Sequence, residues 1–174
     1  MRFVLVALFA LACAACTPSL PRYAVPEDAA ATGFYEDQSR PDLALLEYRL
    51  ARYFAWDERP YETVCAVAGK VDPSRQDSVA VPLDPAIERK LLRRFPMLTP
   101  SGGCKREGLS IINSDTGVEA ALFDVHELEC ETAVRCSAWG GYYANGQHGW
   151  NWYWLDWNGR EWKITPRDLG IVLT

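Results

Sequence analysis

Positive charge is in short supply in this chain: 18 Lys and Arg stand against 23 Asp and Glu over 174 residues, a net charge of −5. No basic tract interrupts that balance, which argues against nucleic acid or an acidic membrane surface as a general partner. No Gly-rich phosphate loop follows a strand pattern, and no serine sits in a nucleophile elbow. Internal repeats and low-complexity tracts are absent. Histidine occurs twice, as His126 and His148. Asp115-Thr116-Gly117 spells the aspartic-protease motif, but that chemistry needs two carboxylates sharing a proton, and no second copy exists. A dimer could supply one; between two strand patterns, the segment reads instead as a hairpin turn.

A chain of this length suits one domain and can bury roughly two thirds of its unfolded surface without a metal staple. Its first 16 residues read as an export address: Met1-Arg2, an apolar run Phe3 to Ala12 too short to span a bilayer, then Ala14-Ala15-Cys16. The segment resembles a bacterial lipoprotein signal with Cys16 as the lipidated residue. Cys13 is a rival position, and an ordinary cleaved signal is the alternative. Thr17 to Arg40, with Pro18, Pro21 and Pro26 and no apolar period, reads as a flexible tether, leaving 41–174 as the domain.

Pro41-Asp42 suits a first helical turn, and Leu43, Leu46, Leu50 and Tyr53/Phe54 recur at helical spacing as far as Trp56, giving one buried stripe. Tyr61 to Val71 alternates apolar residues on both faces, as in a doubly covered strand. Asp84 as N-cap, Pro85 at the first helical position and Ile87, Leu91 and Phe95 on one face predict a second helix stopped by Pro96. Its basic cluster, Arg89, Lys90, Arg93 and Arg94, reads as a solvated face complementing the helix C-terminus. Five strand runs follow, roughly 108–113, 118–129, 133–144, 150–157 and 160–165, joined by short turns that imply antiparallel neighbours. The order predicts an α+β fold, with one or two helices on a curved, mainly antiparallel sheet ending in a Trp-rich meander.

Six of the seven tryptophans fall between Trp139 and Trp162. Asn158-Gly159 suggests a two-residue hairpin, which sets Trp157 against Arg160, Leu155 against Trp162 and Tyr153 against Ile164. The opposite face then carries Trp150, Trp152 and Trp154, facing Lys163 and Thr165. A ribbon aromatic on both sides must be covered twice or must use one side for binding. The loop Asn145 to Gly149 would supply polar groups at the rim.

Cys65, Cys104, Cys130 and Cys136 form an even set in an exported chain and so read as two disulfides. Three connectivities are possible; the close spacing favours Cys130–Cys136, leaving Cys65–Cys104. A metal site from His126, His148, Cys130 and Cys136 is the alternative, but it requires reduced thiols, which an oxidising envelope opposes.

The two helices and the terminal Gly159-Arg160-Glu161-Trp162-Lys163-Ile164 strand resemble the nuclear transport factor 2-like, cystatin-like cone. That resemblance covers about residues 41–174 and implies a pocket; no catalytic motif of the superfamily matches here. The expectation is a non-catalytic, lipid-anchored envelope protein, facing the periplasm, that binds a small ligand or protein partner through Trp150, Trp152, Trp154 and Lys163, with no cofactor or metal. Alternatives are an immunity protein or inhibitor of a secreted toxin or envelope enzyme, and a small isomerase- or dehydratase-type enzyme drawing on Asp124, His126 or Asp156.

Overall fold

The structure, a computed structural model, describes residues 33–68 and 83–167. The expected signal, Cys13, Cys16 and the tether up to residue 32 lie outside the described residues. Two helices, α1 (Pro41–Phe54) and α2 (Pro85–Arg94), pack on one face of a curled, mostly antiparallel mixed sheet, which is the expected α+β layout. Its strands are β1 (Thr63–Ala68), β2 (Leu98–Thr99), β3 (Cys104–Glu107), β4 (Ser110–Asn113), β5 (Glu119–Thr132), β6 (Arg135–Ala144), β7 (Gln147–Trp157) and β8 (Trp162–Pro166). The order across the sheet is β2-β1-β5-β6-β7-β8, with the β3–β4 hairpin joined to the start of β5. β1 runs parallel to both its neighbours, and every other pairing is antiparallel.

The helix-side core gathers Leu43, Leu46 and Leu50 of α1 with Val64, Ala121, Phe123, Ala138, Tyr153, Leu155 and Trp162 of the sheet. α1 buries more than the single expected stripe: Leu45 and Glu47 are also fully buried. The reason is the segment before it. Phe34–Glu36 forms a 3-10 turn whose Phe34 enters the core, so the packed domain starts before Pro41 and residues 33–40 belong to it. Glu47 accepts a hydrogen bond from the Phe34 amide at 2.5 Å and lies 2.5 Å from Arg94 Nη1. Burial pushes its carboxyl above the usual range, while Arg94 pulls the other way. A Cβ on Gly33 would stand 2.8 Å from Arg94 Nη1 and 3.0 Å from Glu47 Oε1, so a larger residue there would have to displace the end of the Arg94 side chain. Lys90 lies over the Phe34 ring, 4.2 Å from its centroid. The basic cluster of α2 is thus not uniformly solvated: Arg89 and Arg93 are exposed, while Lys90 and Arg94 hold the entering chain.

α2 is capped as expected, with Asp84 accepting from the Ala86 amide at 2.8 Å and Pro85 at the first helical position. β1 is buried on both faces. Val64 and Ala66 join the main core, whereas Cys65 and Val67 join a second cluster with Cys104, Ile111, Ala120, Leu122 and Tyr143. That second cluster lies on the outer face, where the β3–β4 hairpin packs. Both disulfides are the expected ones. Cys65–Cys104 ties that hairpin to β1, and Cys130–Cys136 bridges directly opposed residues of β5 and β6 with Cα atoms 3.9 Å apart. They indicate an oxidising, extracytoplasmic compartment. Among the described residues no helix is long and apolar enough to cross a membrane.

Candidate functional site

Two Asn-Gly pairs flank β7, and they behave differently. Asn145 and Gly146 both take positive φ, 45° and 77°, and Ala144 pairs with Gln147, so this is the two-residue turn. The expected loop Asn145 to Gly149 is therefore a tight turn, with Gln147, His148 and Gly149 already in strand. At Asn158-Gly159 the loop has four residues instead. Trp157 pairs with Trp162, Leu155 with Ile164 and Tyr153 with Pro166, two positions off the expected register. The Asn158 side chain accepts from the amides of Arg160 and Glu161, both at 2.9 Å, and closes the wider loop. A shift of two keeps every side chain on its face.

The outer face of β5–β6–β7 therefore carries, in register, Asp124 and His126, then Trp139, Gly141 and Tyr143, then His148, Trp150, Trp152 and Trp154. The face is covered at one end by the β3–β4 hairpin, where the Tyr143 hydroxyl donates to the Leu109 carbonyl at 2.5 Å. His148 and Trp150, next to Tyr143 along the row, are nevertheless exposed. Trp150 is 43 % exposed, while Trp139, Trp152 and Trp154 are half-buried. His148 sits between Tyr143 and Trp150, with ring centroids 4.4 Å and 4.7 Å away. Trp139 meets Trp152 edge-to-face at 5.1 Å, and Arg167 lies 5.9 Å from the centroid of Trp154. The Trp152 Nε1–H is buried with no acceptor among the described residues.

Beneath this aromatic row lies a buried polar pair. Asp124 is 3 % exposed and accepts from His126 Nδ1 at 2.6 Å. A carboxylate can only accept, so Nδ1 carries the hydrogen. The edge of His126 contacts Trp150 at 6.4 Å between centroids. The pKa of His148 lies below the ordinary histidine value, chiefly through burial, then through the charge of Arg106, with Asp124 opposing. His148 is accordingly neutral at neutral pH.

Of the expected binding residues, Trp150, Trp152 and Trp154 share this face. Lys163 lies opposite Asp156 on β8 and bonds Glu161 at 2.5 Å, away from His148 and Trp150. Asp156 is a surface carboxylate paired with Arg135 at 2.8 Å. Asp115-Thr116-Gly117 is an exposed turn, held by the Asn113 side chain accepting from the Asp115 amide. Both candidate metal cysteines are disulfide-bonded, and no group of three possible ligands occurs among the described residues. Sequence reading missed His148 as a member of the face. The available signal was the Asn145-Gly146 turn, which starts the alternation at Gln147 and aligns 148 with 150, 152 and 154. Comparison with known protein families, curated proteins and solved structures finds no match to the chain.

Proposed function

We propose that this chain is a non-catalytic binding protein of the bacterial cell envelope, lipid-anchored through Cys16 and facing the periplasm. Its ligand lies across the outer aromatic face. One observation carries the reading: Trp150 is 43 % exposed beside His148, which is exposed too, in a row continued by Trp152 and Trp154 on the face the helices do not cover. A flat indole offers a large rigid apolar surface, and the neutral imidazole of His148 beside it offers one donor and one acceptor. Apolar planes next to paired polar edges fit a saccharide ring, which has an apolar face and a rim of hydroxyls. The Asp124–His126 pair supports this reading by fixing the orientation of His126 against Trp150. The likeness to the nuclear transport factor 2-like cone belongs to the same proposal and is supported by helices lying on one side of a curled sheet.

The test is an NMR titration of the processed chain with chito- and cello-oligosaccharides, following the indole N–H resonances. Shifts confined to Trp150, Trp152 and Trp154, and an affinity at least about tenfold weaker in Trp150→Ala, are expected. Unmoved resonances on that face across both series would remove the saccharide reading.

A further inference from the structure

On the opposite side of the sheet, the last turns of α1 and the chain that follows stand over β5, β6 and β7 and leave an open cleft of about 500 Å³. Its floor is Phe123, Tyr142 and Tyr153; its wall is Arg49, Arg52 and Tyr53, with Trp56 at the mouth. The volume falls in the range of small-molecule sites. The rings interlock, with Tyr53 5.0 Å from Phe123 and Phe123 5.3 Å from Tyr142 between centroids.

Two cations stand in this aromatic cleft. The Arg49 guanidinium lies 5.6 Å from the centroid of Phe123 and 5.7 Å from that of Tyr153, and it donates to the Tyr153 hydroxyl at 2.6 Å. The Arg52 guanidinium lies 5.6 Å from the centroid of Tyr48 and donates to its hydroxyl at 3.3 Å. Among the described residues neither has a carboxylate within salt-bridge distance. Each guanidinium has five N–H donors, of which these bonds use one, so most remain to be met from outside the protein. The Tyr142 hydroxyl has no protein partner among the described residues, and burial together with Tyr53 and Tyr61 pushes its pKa up to about 12, so it remains a donor. Tyr53 is already committed: its hydroxyl donates to the Tyr61 carbonyl at 2.8 Å and accepts from the Tyr61 amide at 3.0 Å.

The backbone is shaped for this arrangement. A Cβ on Gly140 would lie 2.9 Å from Tyr153 Cε2 and 3.4 Å from Arg49 Cδ, so the missing side chain lets Tyr153 and Arg49 lie flat on the sheet. In a protein of net charge −5, an unpaired pair of arginines at an aromatic cleft is a selective feature rather than a consequence of overall charge.

We propose that this cleft binds a small aromatic carboxylate, its ring held against the accessible rings of Tyr142 and Trp56 and its carboxylate met by Arg52 and Arg49. The site is independent of the saccharide face and lies on the other side of the sheet. A carboxylate makes a charge-assisted bond to guanidinium that a neutral molecule of the same shape forgoes.

Calorimetric titration of the processed chain with 1-naphthoate, and with 1-naphthamide as its uncharged counterpart, tests this. The acid is expected to bind about tenfold or more tightly than the amide, an advantage that shrinks between about 0.05 M and about 0.5 M NaCl. Arg52 is exposed, so Arg52→Gln keeps the fold and is expected to remove the advantage of the acid while leaving the amide unchanged. No binding by either probe at millimolar concentration, equal affinity for both, or an unaltered acid affinity in folded Arg52→Gln would each overturn the proposal. So would binding that survives Arg52→Gln and disappears in Trp150→Ala, since that places the probe on the other face. Failure of the saccharide titration leaves these outcomes unchanged.

Discussion

The carboxylate of Asp124 occupies the space that a side chain at position 141 would need; an added Cβ on Gly141 would overlap both its oxygens and its carbon. Cross-strand pairing sets the two residues opposite each other on β5 and β6. The glycine lets a buried acid lie flat against the neighbouring strand and reach His126 at 2.6 Å. Gly140, one residue earlier, does the same on the opposite face for Tyr153 and Arg49. One Gly-Gly step thus shapes both faces of the sheet.

Gly141→Ala is therefore expected to destabilise the domain by about 1–3 kcal/mol, the usual range for overpacking a close contact. It should also separate Asp124 from His126. Urea denaturation measures the first and the His126 ring resonances the second. A variant within about 0.5 kcal/mol of the parent, with unmoved His126 resonances, would show that Asp124 has room elsewhere.

His148 supplies a pH dependence. Its folded pKa is lowered, so as pH falls the unfolded chain takes up the proton first. The associated stability is fully present above the unfolded value of about 6.5 and is lost as pH falls through the folded value. Imidazole NMR should show a His148 midpoint below the ordinary histidine value. In Arg106→Gln the midpoint should rise only partway, because burial is the larger cause and Asp124 already opposes it. A midpoint that ignores Arg106 contradicts the placement of the β3–β4 hairpin over this end of the face.

The disulfides should differ in worth. Cys65–Cys104 closes 39 residues and Cys130–Cys136 closes 6. Loop-closure entropy gives about 4 kcal/mol for the first and about 2 kcal/mol for the second. Denaturation of the paired Cys→Ala variants should reproduce that order. The reverse order would mean that the β5–β6 hairpin depends on its bridge more than chain entropy allows.

Much of this was legible where a residue has a local mechanism. Asp84-Pro85 marks a helix start because the side chain caps and the ring fits, and close cysteines on adjacent strands can bridge. The register of β7 with β8 was not legible, because Asn-Gly fits a two-residue turn at either place. Tertiary packing decides between the loops: Trp162 is buried, meets Trp157 at 5.5 Å and donates its indole N–H to the Asp37 carbonyl at 3.0 Å. The short strands β2 and β3 carry too few residues to show a period, and the parallel pairing of β1 leaves no local mark. Phe34 lies in a Pro-rich, acidic stretch that masked its anchoring role. The aromatic face was visible as a composition and not as a site, since burial of Asp124 over Gly141 depends on which strands are neighbours.

The tryptophans provide the sharpest separation of packing from function. Trp162 is 2 % exposed in the helix-side core, so Trp162→Ala leaves a cavity and an orphaned carbonyl at Asp37. A loss of about 3–5 kcal/mol is expected, together with release of residues 33–40 to faster hydrogen exchange. Trp150 is 43 % exposed and meets the rings of His126 and His148, so Trp150→Ala should cost about 1–2 kcal/mol, clearly less than Trp162→Ala. Its effect should appear also in saccharide affinity and in the His148 titration, whose midpoint rises as the indole that shields it from water is removed. Denaturation midpoints, exchange rates and the two titrations, measured on both variants, place each indole in one role. If Trp150→Ala destabilises as much as Trp162→Ala, the outer face is a second core and the saccharide reading falls with it.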